Sequence, residues 1–238
     1  MFILTVIPLA RGIFAEELTY FTVEHVPVGA LISVPLRGRT IHALVIREEN
    51  AREQKAMLKQ QSFVVKQITD YKTRALLDPR FVHACLRTAT YFAQPTNHIL
   101  TAQISKLFLV HALEGKKGGA QITVKQDVES AKRTFVLQEP EEQRMALLKR
   151  QIRERFAKHQ SVFLMLPTLA DIEVVLPLLK KGIEDYTYGF HNGMSKTAFT
   201  RQLKATATAT HPLLIVGTSQ FLVLPITTLG CVIVEHEH

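Results

Sequence analysis

The sequence predicts an α/β chain of more than one domain, on three observations. The first 47 residues carry four short runs rich in β-branched and aromatic residues, FILTVIPL, LTYFTVEHV, ALISVPL and TIHALVI, with no long helical pattern between them. From Arg133 onward, near-continuous apolar runs alternate with helical patterns, the signature of a parallel sheet covered on both faces. Between these regions, GKKGGAQITVKQDVESAKR at 115–133 is rich in Gly and Lys and lacks an apolar period, which marks a boundary. With 238 residues, 47% of them hydrophobic, the chain can fill one to two cores.

In chain order, Pro27 to Gly29, Pro35 and Gly38 supply the turns between the first strands, and strands so spaced predict a small barrel or rolled sheet. EENAREQKAMLKQQ then turns polar and helix-favouring, and FVVKQITDY returns to strand character. LDPRFVHACLRTATY predicts a helix with Asp78 as N-cap and Pro79 at its first position, its stripe running through Phe81, Ala84, Cys85, Thr88 and Phe92. A further short helix is expected over 98–107. Beyond the boundary the expected order is strand RTFVLQ, helix 141–158, strand SVFLMLP, helix 169–182, strand YTYGFH, helix 195–204, strand LLIVGT and strand GCVIVEHEH. The domains are thus 1–110, a linker at 111–133, and 134–238, the last stopping on what should be an inner strand.

No run reaches the ~18 apolar residues that a membrane helix needs, and the opening MFILTVIPLARGIF lacks a basic leader and a cleavage site, so a soluble cytoplasmic protein is expected. Cys85 and Cys231 stand far apart without a CxxC pair, which argues against a disulfide framework or thiolate metal site. Of the formal charge of +8, residues 1–110 contribute 13 Lys/Arg against 8 Asp/Glu, 111–160 contribute 11 against 7, and 161–238 contribute 5 against 6. This basic excess has two readings, polyanion binding by counterion release and a charge that serves solubility, and composition does not choose between them.

Several segments together resemble the primosomal protein N′ (PriA) family of replication-restart helicases. LTYFT at 18–22 and VGALISVPLRGR at 28–39 stand where the family has a Phe-Asp-Tyr region and a VG-x-x-V-x-VP-x-x-x-R stretch. FVVKQI and LLDPRFVHACLRTATYFAQP follow in family order, as do VFLMLPT, HNGMS at 191–195, LIVGTSQFLVLP at 214–225 and LGCVIVEHEH at 229–238. The resemblance implies an N-terminal 3′ DNA-binding domain, small and barrel-like, and an incomplete RecA-like helicase domain. The family's winged-helix domain has no counterpart here.

The departures bear on chemistry. The family's phosphate loop aligns with Gln138 to Met145, QEPEEQRM, which has no glycine, lysine or hydroxyl where a phosphate loop needs all three. Glu139, Glu141 and Glu142 suit the first turn of a helix instead, and Arg144 takes the place of the loop lysine. Glu235, His236, Glu237 and His238 replace the family's Asp-Glu-Glu-His, so Glu235 and Glu237 are remnants of a metal-holding motif. Ser219 in GTSQF replaces an arginine. ATP hydrolysis is not expected, and no cofactor or metal is called for.

The resemblance places the DNA site at Tyr20, Thr19, Arg37, Arg39 and Lys66. Tyr20 could stack on a base or be an ordinary half-buried strand aromatic; Phe21, on the opposite side of the strand, is expected in the core. Arg37, Arg39 and Lys66 are the phosphate contacts expected, or else solvated charges. The basic residues of helix 144–158 are expected on a solvated face around an apolar stripe of Leu147, Leu148, Ile152 and Phe156. His191 is expected as a strand-end residue, and Lys116 and Lys117 as part of the linker. The implied function is recognition of forked, single-stranded or 3′-ended DNA in replication restart, alongside replication-restart proteins and away from membranes. Two alternatives are an ATP-dependent 3′-5′ DNA helicase with motifs beyond residue 238, and a non-enzymatic replication scaffold.

Overall fold

The strand runs of the first 50 residues form a curled, largely antiparallel sheet. The computed structural model describes residues 1–10, 17–51, 66–68, 77–114, 140–226 and 228–235. The chain divides into two compact units, Met1–Ile122 and Thr123–His238. In the first, β1 (Phe2–Pro8), β2 (Leu18–Thr22), β3 (Leu31–Leu36), β4 (Arg39–Asn50) and β5 (Lys66–Gln67) lie in the order β3-β4-β1-β2-β5. All neighbours are antiparallel except β5, which runs parallel to β2.

Local chemistry accounts for the curl. Leu36 pairs with Arg39 across a two-residue turn whose central residues, Arg37 and Gly38, have φ of 46° and 77°. Positive φ at both positions is the type I′ geometry, whose twist matches that of the strands it joins. Along β1, Thr5 faces Arg47 but Val6 faces Val45, so Ile46 is an extra residue on β4, and such a bulge bends the strand. One face gathers a core of Leu4, Val6, Tyr20, Ile32, Val34 and Val45. Across the inside of the curl, the Tyr20 hydroxyl donates to the Pro35 carbonyl at 2.9 Å, which ties β2 to β3 although two strands separate them. The other face is not free either: Ile3, Ile7, Leu31 and Leu44 are buried there.

Helix α1 (Pro79–Tyr91) starts as expected, with the Asp78 carboxylate accepting from the Arg80 amide at 2.8 Å and Pro79 at the first position. Its buried stripe is Val82, Cys85 and Ala89. Ala84 and Phe92 of the predicted stripe are exposed, because the helix is rotated toward Val82 and ends before Phe92. The single helix expected over 98–107 is two helices, α2 (Thr96–Gln103) and α3 (Lys106–Glu114). Ile104 is extended between them, and the Ser105 hydroxyl accepts from the Leu107 amide at 3.2 Å to open the second. In this way α2 reaches β1 and α3 reaches β3.

The second unit is built around a four-stranded, wholly parallel sheet. Helix α4 (Glu141–Ala157) leads into β6 (Ser161–Met165), followed by α5 (Leu169–Lys180), β7 (Thr187–Phe190), α6 (Lys196–Thr208), β8 (Leu214–Gly217) and β9 (Leu229–Val234). The strand order is β7-β8-β6-β9. Every described α-helix and strand of this half lies where the alternating pattern predicts it, within a few residues; two short 3-10 turns, Glu184–Tyr186 and Ser219–Phe221, are not predicted by it. The strand expected at RTFVLQ lies outside the described residues.

Helices cover both faces. At Gly189 a β-carbon would come within 2.8 Å of Leu176 on α5, so the glycine permits that close approach. The next residue, Phe190, points the other way and meets Phe199 of α6 and Phe221 with ring centroids 6.0 and 5.8 Å apart. Leu148 and Ile152 of the predicted α4 stripe are buried against the sheet core, with Phe156 partly so. Among the described residues, no helix is long and apolar enough to cross a membrane.

Candidate nucleic-acid interface

Three of the five residues expected to touch DNA are exposed on the curled sheet. Arg37 and Arg39 flank Gly38 at the tip of the β3–β4 hairpin, and all three are exposed. Pro35, two residues before Arg37, is the acceptor for the Tyr20 hydroxyl, and Tyr20 is in register with Lys66. The tether therefore links β3, just before the hairpin turn, to β2, the neighbour of edge strand β5, on which Lys66 is exposed. Among the described residues, Arg37, Arg39 and Lys66 take part in no ion pair. Their charge is directed outward, as a phosphate contact requires.

Tyr20 itself has a different position from the one expected. It is 4% exposed, its ring lies in the core, and burial raises its phenol above the ordinary tyrosine range. It offers no face to a base; its contribution is the tether. Phe21, expected in the core, is instead half-buried on the opposite side of β2. The physical reason is that both faces of this sheet are partly covered, so alternation along β2 separates two sets of residues without saying which set faces the larger core. Thr19 is half-buried and shares a row with Thr5 and, one strand further, the exposed Arg47. Arg47 was missed in the sequence, where its period-2 position on a long strand was the available signal.

In the second unit, the segments HNGMS, GTSQF and EHEH begin where β7, β8 and β9 end. Parallel pairing puts HNGMS, GTSQF and Glu235 at one edge of the sheet, the carboxyl edge, beyond which ligands bind in open α/β sheets. There, Glu235 follows β9, its amide bonded to the Met165 carbonyl at 3.0 Å, and its carboxylate meets the Arg144 guanidinium from the first turn of α4 at 2.7 Å. The pair is largely shielded, at 29% and 13% exposure. Thus Arg144 and Glu235 neutralise one another directly. Glu237, Gln138 and Glu139, and Lys116 and Lys117, lie outside the described residues.

At the same end of β7, His191 contributes to a cleft of about 430 Å³ between α5, β7 and α6. Its Nδ1 atom and the Gln202 Oε1 atom are buried with no hydrogen-bond partner among the described residues. Gln202 carried no signal in the sequence, because it reaches the cleft only through the packing of α6. Among the described residues, no group of three His, Cys, Asp or Glu side chains is placed to hold a metal. No protein-family model matches the sequence, and no curated protein matches it significantly.

Proposed function

We propose that this protein binds forked, single-stranded or 3′-ended DNA through the curled-sheet unit, in replication restart, without hydrolysing ATP. The reading joins Arg37, Arg39 and Lys66 into one cationic seam, and it is supported by their exposure, their lack of ion pairs among the described residues, and the part-buried Tyr20–Pro35 bond that links β2 to β3 beside the hairpin turn. In this reading the curled sheet is the barrel-like 3′ DNA-binding head of the primosomal N′ type. The parallel sheet is a RecA-like domain, a reading supported by HNGMS, GTSQF and Glu235 at its carboxyl edge. The Arg144–Glu235 pair supports a silent site, since each group satisfies the charge that would otherwise face a phosphate or a metal.

The test is a titration of the full chain against forked, 3′-tailed and blunt DNA over a range of salt, with and without ATP and magnesium. Expected are affinity that falls steeply with salt, by roughly 0.7 to 0.9 in log-log slope per phosphate neutralised, and no ATP effect. Charge reversal of Arg37, Arg39 and Lys66 together abolishes binding. Undetectable fork affinity at low salt refutes the reading in favour of a scaffold, and ATP-stimulated unwinding refutes it in favour of a helicase.

A further inference from the structure

We propose that Tyr91 and Phe92, at the tip of α1, form a second contact for single-stranded nucleic acid, on which unpaired bases stack. The proposal rests on the DNA-binding reading above and adds a site that the sequence did not indicate.

Two adjacent aromatic rings stand in solvent there, Tyr91 at 83% and Phe92 at 62% exposure, with centroids 4.9 Å apart in an edge-to-face arrangement. Single exposed apolar residues are ordinary, but a paired aromatic unit gains from being covered. The backbone that carries the rings is also held in place. The Gln94 amide bonds the Ala89 carbonyl at 2.9 Å and the Ala93 amide bonds the Thr90 carbonyl at 3.3 Å, the paired bonds of a Schellman cap. That cap puts Ala93 at φ of 51°, a conformation usually left to glycine, so the turn that throws Phe92 outward is kept against a conformational cost. A backbone fixed beforehand loses little freedom on binding.

Charge selects the occupant. From Pro79 to Leu113 the sequence has no Asp or Glu, and the acidic residues at either end are Asp78, which caps α1 and pairs with Arg80, and Glu114. Arg87 is exposed one helical turn before Tyr91, on the same side of the helix. A cation one turn from the paired rings, with no carboxylate near in sequence, complements a base and its phosphate; a basic peptide would find no counter-charge.

The chain has no tryptophan, so Tyr91→Trp introduces a single indole reporter. Expected is quenching of its fluorescence by an oligothymidine, with a midpoint that shifts with salt. Tyr91→Ala with Phe92→Ala should weaken oligothymidine and 3′-tailed fork binding by about 10- to 100-fold, while leaving blunt duplex affinity unchanged. Unquenched indole together with unchanged tailed-DNA affinity overturns this inference alone, provided the wild-type chain binds forks and the Arg37, Arg39 and Lys66 reversal abolishes that binding. A wild-type chain with no DNA affinity overturns both readings. Self-association in sedimentation that the double alanine variant abolishes, without change in DNA binding, would assign the rings to a second copy and overturn the proposal.

Discussion

Arg37→Asn separates what the hairpin tip does for the fold from what it does for DNA, because the two effects have opposite signs. Arg37 occupies the first central position of the β3–β4 turn at φ of 46°, where an L-residue with a long side chain is strained by about 1 kcal/mol or more. Asn is the residue best suited to that position before Gly38, so the exchange should recover about 0.5 to 1 kcal/mol. Arg37 takes part in no ion pair among the described residues, so no such contact offsets the gain. For a unit of the size of Met1–Ile122, that corresponds to a rise in melting temperature of roughly 2 to 5 °C, measured by circular dichroism. The same exchange removes one cation from the seam, so the salt dependence of fork binding should lose about 0.7 to 0.9 of its log-log slope. A fall in melting temperature would show that the turn is not strained as described. An unchanged slope would show that Arg37 does not meet a phosphate.

Other substitutions test the remaining contacts. Tyr20→Phe should cost about 1 to 2 kcal/mol by leaving the Pro35 carbonyl without its donor, and should weaken fork binding by loosening the seam; chemical denaturation and the same titration measure both. In the second unit, Arg144→Ala and Glu235→Ala should each cost about 1 to 2 kcal/mol, and the double variant distinctly less than the sum, because the partly shielded pair acts as one unit. Burial pushes the Cys85 thiol up to about 11. Its folded value therefore lies above the unfolded one, so this contribution to stability is fully present below about pH 8.5 and is lost as pH rises through 11. Alkylation of Cys85 at pH 8 should accordingly require unfolding, and rapid labelling of the native chain would contradict its placement in α1.

What the sequence determined by itself is what short-range physics decides. Asp78 and Pro79 announce the start of α1 because a cap and a fixed φ act within one turn, and Gly38 announces the hairpin because the turn needs positive φ. The alternating half is legible for the same reason: strands buried on both faces read as apolar runs, and helices between them read as period 3.6. Tertiary structure alone decided which face of β2 is the core, since Ile3 and Ile7 on one side of β1 are buried as fully as Leu4 and Val6 on the other. It also decided that Tyr20 ties two distant strands, that Arg144 meets Glu235, and that Phe92 turns out to solvent. Each of these depends on a contact or a chain reversal that no local period encodes. Of the candidate site, the sequence could show the cations, but only the curl of the sheet could bring the Tyr20 hydroxyl to the Pro35 carbonyl, two residues before Arg37.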